Sequence, residues 1–190
     1  MLAAGVSACK NPFATREAEP PVASRSRWIP PSQPQDVLEN LRNAVVEEHL
    51  LNYLKCLSDS LTTGREFTFE AEPSVVANYP DLFAAWDVDH ERRYLDQLFQ
   101  ATPRDSLRSL RFSNLTEQLG EGNERMLVGD YTLEVHHTLV AEGIPRRVRG
   151  RAEFWLIQEP RTSYWYIWRW RDSATSDEPT WSAIKAAFGR

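Results

Sequence analysis

Ser163-Tyr-Trp-Tyr-Ile-Trp-Arg-Trp-Arg-Asp172 is the stretch on which the fold turns. Five of its ten residues are aromatic and an isoleucine sits among them, a composition that suits a pleated surface with at least one covered side. Successive strand side chains point to opposite faces. Read with that period, Tyr164, Tyr166, Trp168, Trp170 and Asp172 share the face expected to meet the core, and Trp165, Ile167, Arg169 and Arg171 share the other.

Three more strands are expected before it, over 107–119, 126–139 and 147–159, with reversals at 120–123, 142–145 and 159–162 where Gly, Pro and Asn gather. In 126–139 one side carries Leu127, Gly129, Tyr131, Leu133, Val135 and His137; in 147–159 it carries Val148, Gly150, Ala152, Phe154 and Leu156. A slip of one residue would reverse every side chain, so the pairing must keep these apolar sets together. That register places Gly150 and Ala152 beneath Trp168 and Trp170. It also interleaves Asp130 and Glu134 with Arg149 and Arg151 on a solvated outer face, where opposite charges favour pairing.

Upstream the period changes to that of helices. Ser32 with Gln35 reads as a capping box opening a helix whose stripe is Val37, Leu38, Leu41, Ala44 and Val45. The pattern slips at Glu48 and His49 and resumes with Leu50, Leu51, Leu54 and Leu57, which predicts a bend between two helices. A short edge strand follows over 67–70. Next comes a helix from Pro73 to about Ala85 that Pro80 should split, and another capped by Asp87 over 88–100. Thr180 and Trp181 open a last helix running to Phe188. Helices first and then an antiparallel meander make the class α+β: N-terminal helices packed on a curved antiparallel sheet, plus a C-terminal helix.

The chain of 190 residues suffices for one domain, expected over 34–190, with a tail in front. Val6-Ser-Ala-Cys9 resembles the bacterial lipobox, in which two small residues precede the cysteine that receives lipid. Residues 1–8 then read as the remnant of a lipoprotein signal and 9–33 as a Pro-rich flexible tether, too polar to offset its ordering entropy. The resemblance implies lipidation at Cys9 and a bacterial cell-envelope location; without it the protein is soluble and cytoplasmic. Trp28 is expected to dock on the domain.

A net charge of −5 argues against sequence-independent nucleic-acid binding. No apolar run approaches the roughly 20 residues of a spanning helix. The two cysteines, Cys9 and Cys56, have no metal-ligand spacing, and Cys56 on an apolar helix face reads as a buried, inert thiol. No metal or cofactor is expected.

The order of elements, together with Trp165, Ile167, Trp170 and Asp172 in the pattern Trp-x-Ile-x-x-Trp-x-Asp, resembles the nuclear transport factor 2-like superfamily, which includes ketosteroid isomerase-like proteins. The resemblance covers about 34–172 and implies a cone closed by helices at one end, often with an internal pocket. Both enzymes and pure binding modules use that fold.

Two readings follow. A non-enzymatic domain would bind a small apolar ligand or a protein partner, as monomer or homodimer, with Tyr131, His137, Phe154, Tyr166, Trp168 and Trp170 as the pocket lining. An isomerase, dehydratase or cyclase would use His137 as an internal acid–base, with Tyr131 or Asp172 beside it. An enclosed cavity lined by His137 favours the enzyme; a cone filled by its own aromatic rings favours the binding module.

Overall fold

The computed structural model describes residues 26–190; residues 1–8, Cys9 and the greater part of the expected tether lie outside the described residues. Helix α1 (Pro34–Val46) starts one residue later than the Ser32 box implies. Gln33 is the N-cap and pairs with Asp36, whose carboxylate also accepts from the Ser32 hydroxyl at 3.1 Å. Glu48, with φ 54°, breaks the helix where the apolar pattern slips, and His49 Nδ1 accepts the Asn52 amide to start α2 (Leu50–Leu54).

Asp59 then caps a single turn, α3 (Ser60–Thr63), which ends on Gly64 at φ 79°. The expected 73–85 helix is divided, as Pro80 demands, into α4 (Pro73–Asn78) and α5 (Pro80–Phe83). Asp87 accepts the amides of Asp89 and His90 at the head of α6 (Val88–Gln100).

The sheet is curved and unclosed, with strand order β1-β5-β4-β3-β2. Strands β2 (Arg108–Leu119), β3 (Glu124–Val135), β4 (Arg147–Gln158) and β5 (Trp165–Ser173) form the antiparallel meander. The three-residue β1 (Thr68–Glu70) adds to β5 in parallel. Strand β3 stops at Val135, earlier than expected, because 136–138 leave the ladder and a 3₁₀ turn takes Leu139–Glu142. On the inner face Leu127, Tyr131, Leu133 and Val135 of β3 meet Val148, Ala152, Phe154 and Leu156 of β4, as the alternation requires.

Strand β5 departs from strict alternation. Leu156 pairs with Ile167 and Trp155 with Arg169, so Trp168 is an extra residue, a β-bulge. Trp170 and Asp172 after the bulge face the core as expected, but before it the faces exchange. Trp165 and Ile167 are buried, while Tyr164, Tyr166 and Trp168 are only half-buried on the other side. Trp168 instead takes the Arg65 guanidinium over its ring at 4.4 Å.

Three segments line the free edge of β5. Trp165 N donates to Pro31 O at 2.9 Å, Ile167 exchanges bonds with Cys56 and Ser58, and β1 pairs with 169–171. The last part of the expected 9–33 tether is thus tied to the domain: Asn40 bonds both the amide and the carbonyl of Ile29, and Trp28 lies under Lys55 at 5.7 Å.

Outside, Arg151 pairs with Asp130 at 2.9 Å, whereas Arg149 turns to Glu178. Arg169 and Arg171 both reach Glu70 and stack on Trp155, 4.5 and 5.2 Å from its ring centre.

Helix α7 (Trp181–Phe188) lies against the concave face. Trp181 meets Trp170 edge-on at 4.7 Å and Tyr131 at 5.4 Å, and Trp170 meets Phe154 at 5.0 Å and Phe69 at 5.4 Å. Gly150 makes room for Tyr131, not for the tryptophans: a Cβ there would stand 2.7 Å from Tyr131 Oη and 2.6 Å from Ser173 O. Gly150→Ala should therefore destabilise the domain by about 1–3 kcal/mol through overpacking. Urea unfolding is the measurement, and an unchanged midpoint would contradict this packing.

Candidate functional site

Tyr131 and Asp172, both on inward positions of the sheet, come together, and they hold the chain's own helix. Tyr131 Oη donates to Asp172 Oδ1 at 2.7 Å and accepts the Trp181 amide at 2.6 Å. Asp172 Oδ2 accepts both the amide and the hydroxyl of Ser182, at 2.7 and 2.6 Å. The N-cap Thr180 makes no capping bond of its own, so residues of β3 and β5 satisfy the orphan amides at the head of α7. The carboxylate also complements the positive end of the helix. Burial pushes the Asp172 carboxyl up against the pull of its donors, and burial beside Asp172 pushes the Tyr131 phenol up. Both carboxylate oxygens and the phenol are thus engaged by the chain's own groups.

His137 is fully buried but stands apart, just beyond the end of β3. Its Nδ1 accepts the Leu139 amide at 3.2 Å and its Nε2 donates to Pro145 O at 3.1 Å, a pattern that only one neutral tautomer satisfies. Burial, with Arg146 nearby, lowers its pKa. Its ring packs on Phe188 at 5.3 Å. No proton acceptor for a substrate is left.

The polar centre of the interior involves residues that strand alternation alone could not find. Lys185 of α7, wholly buried, forms an ion pair with Glu91 of α6. Tyr53 Oη donates to one Glu91 oxygen at 2.8 Å, and Trp86 Nε1 to the other, also at 2.8 Å. The ammonium lies 3.7 Å from the ring centre of Phe69 and 4.0 Å from that of Trp170, both inside the range of cation–π attraction. Burial lowers the Lys185 pKa to about 8 despite its carboxylate partner. A signal existed in the sequence. Lys185 occupies the apolar stripe of its helix with Trp181, Ile184 and Phe188, and Glu91 that of α6 with Tyr94, Leu95 and Leu98.

Phe154 and Trp170, from the candidate lining, are packed in this core, whereas Tyr166 and Trp168 lie on the far side of β5. Clefts of about 610, 580, 390 and 290 Å³ open on the surface, and none is lined by Tyr131, His137, Phe154, Trp170 or Asp172. Tyr164 and Tyr166 line the 580 Å³ groove together with Trp28, Leu51, Leu54 and Lys55. Cys56 is buried and unpaired, its thiol pushed up by burial. Among the described residues no cluster of three or more His, Cys, Asp or Glu is placed to hold a metal, and no helix is long and apolar enough to cross a membrane.

No family model matches the chain, and no curated protein matches it in sequence. Solved structures do match its shape. A nuclear transport factor 2-like protein of unknown function in nutrient uptake from Rhodospirillum rubrum aligns with TM-score 0.54 at 12% identity, over 74% of this chain and 96% of its own. A scytalone dehydratase-like protein from Novosphingobium aromaticivorans aligns with TM-score 0.54 at 10% identity, over 75% and 81%. A protein from Xanthomonas campestris resembling calcium/calmodulin-dependent protein kinase II association domains aligns with TM-score 0.52 at 12% identity, over 75% and 86%. The chain has the nuclear transport factor 2-like fold. At these identities the likeness is one of fold, shared by enzyme-like proteins and proteins of unknown function.

Two expectations follow from this geometry. Asp172→Ala leaves the Tyr131 hydroxyl and the Ser182 amide without their charged acceptor, which should cost about 3 kcal/mol. Amide exchange should speed up in α7 before it does in β3 and β4; uniform acceleration would mean that Asp172 does not act through the helix. For His137, a folded-state pKa below the ordinary 6.5 means that the unfolded chain binds the extra proton first. Its contribution is fully present above about pH 6.5 and is lost as pH falls through the lowered folded value. His137→Asn should flatten the stability profile on the acid side of about pH 6.5, read from urea midpoints, and an unaltered slope would deny the histidine this role.

Proposed function

We propose that the chain is a non-enzymatic, lipid-anchored domain of the bacterial cell envelope that binds a protein partner on its outer surface. The observation that carries this reading is the filled interior. Trp170, Phe154, Trp181 and Lys185 occupy the space in which a substrate would have to sit, and His137 has both ring nitrogens engaged. An internal acid–base mechanism needs a group within hydrogen-bond reach of a bound substrate, so the isomerase, dehydratase or cyclase reading loses its support here.

The partner surface is the groove between α2 and the start of β5. Its walls are apolar and aromatic with tyrosine hydroxyls and Lys55 at hand, and Leu51 is 60% exposed. Such a mixture of rigid rings and few polar groups is how protein surfaces gain contact area at low entropic cost. The tether to the membrane is Cys9, on the lipobox reading of its surroundings.

A photo-crosslinking residue at Leu51, in the full chain in its native host, should give a discrete protein adduct that Leu54→Asp abolishes and His137→Asn leaves intact. Cys9→Ser should move the chain from the membrane fraction to the soluble fraction. An adduct indifferent to Leu54→Asp would remove the groove from the proposal, and a Cys9→Ser chain still in the membrane fraction would remove the anchor.

A further inference from the structure

The centre of the cone has the composition of a receptor with its ligand already in place. Six side chains of the domain body surround the Lys185 ammonium: Tyr53, Phe69, Trp86, Glu91, Tyr94 and Trp170. Four of them are rings with centres 3.7–5.6 Å from Nζ. They come from α6, β1, β5 and the segment before α6, whereas Tyr53 of α2 acts through the carboxylate. Only the cation itself belongs to α7.

Within the body the carboxylate is oriented by Tyr53 Oη and Trp86 Nε1, while α7 braces two of the ring walls through Trp181, whose Nε1 donates to Tyr94 Oη at 2.8 Å and whose ring meets Trp170 edge-on at 4.7 Å. A carboxylate held by two donors and faced by aromatic rings attracts an ammonium by charge and by the ring quadrupoles together, in a site without competing water. The segment that brings α7 in, residues 174–179, is exposed along its whole length.

We propose that this box is an alkylammonium-binding site, occupied in cis by Lys185 of the chain's own C-terminal helix, and that its ligand class is the primary alkylammonium. Primary follows from the spacing. Nζ lies 3.7 Å from the Phe69 ring centre and 4.0 Å from that of Trp170, so an N-methyl group directed at either ring, about 1.5 Å further out along its bond, would meet it. The inference concerns the interior and stands apart from the outer-groove reading.

The test uses the full chain with Lys185→Ala, which removes Cγ to Nζ and leaves a space the shape of n-propylammonium. Millimolar n-propylammonium should raise the melting temperature of this variant by about 3 °C or more. It should leave the wild type unchanged against sodium chloride at equal ionic strength. 1-Propanol and N,N-dimethylpropylammonium should do less, and Glu91→Gln in the same chain should abolish the effect.

Equal rescue by propanol, or rescue that survives Glu91→Gln, would reduce the site to a plain apolar cavity and overturn the proposal, as would no rescue at all. Should Lys185→Ala fail to fold alone, the yield of folded chain on dilution from urea is the reading. Recovery with propylammonium supports the site, and no recovery under conditions that refold the wild type overturns it.

Discussion

The buried ion pair between Lys185 and Glu91 is the constraint from which the interior follows. Taking both charges out of water costs several kcal/mol per ion, and mutual attraction offsets this only when the remaining hydrogen-bonding capacity is met. Tyr53 and Trp86 meet it for the carboxylate, and the Phe69 and Trp170 rings do so in part for the ammonium. A pair satisfied this closely has one register: α7 cannot slide by a turn without stranding a charge. The other anchor sits at the head of the same helix, where Tyr131 and Asp172 take the amides of Trp181 and Ser182. An eight-residue helix is too short to persist alone in water. It exists because the sheet grips its N-terminus and α6 its lysine.

Strand β5 shows how the sheet makes this grip. The bulge at Trp168 lets Ile167 and Trp170 both face inward although they are three residues apart, so the strand can meet Cys56–Ser58 on one side of the irregularity and β1 on the other. Without the extra residue, a strand pointing Trp170 and Asp172 inward would also point Trp168 and Tyr166 there. The concave face already holds Phe154, Trp170 and Trp181, whose ring centres are within 5.0 Å of a neighbour. The irregularity thus limits how much ring volume enters the cone, while Pro31, Cys56–Ser58 and β1 cover a strand edge that would otherwise offer free amides and carbonyls.

The sequence was informative where one local rule decided the outcome. Pro80 split a helix, Asp87 capped one, the alternation of β3 and β4 put Tyr131 and Phe154 on the inner side of the sheet, and that of β5 beyond its bulge put Asp172 there. It was misleading where a single inserted residue counted. Period-two reading carried Tyr166 and Trp168 across a bulge that no local signal marks, and the Ser32 box lost to Gln33 and Asp36 one residue later. The Lys185–Glu91 pair was a different failure. Each residue sits on the apolar stripe of its own helix, which is visible in the sequence, but a charge on a stripe gains meaning only when its opposite is found on another. Those two helices are 94 residues apart at the pair. Their proximity is a product of the sheet between them, and no windowed reading contains it.

The filled cone also bears on where the chain meets other molecules. An interior consumed by its own packing leaves recognition to the outside, and the outside is not uniform. The convex face of the sheet pairs its arginines with Asp130, Glu70, Glu153 and Glu178, so its charges are largely spoken for. The α2–β5 groove is different, because Leu51, Leu54, Tyr164 and Tyr166 line it with apolar and aromatic surface, beside Trp28 and Pro31. Those two residues belong to the segment fastened through Asn40 and the Trp165 amide. The chain that precedes residue 26 therefore joins the domain at the rim of that groove. If Cys9 carries lipid, membrane and partner meet the same side of the molecule, at a separation set by the 16 residues between Cys9 and residue 26, or roughly 60 Å at most.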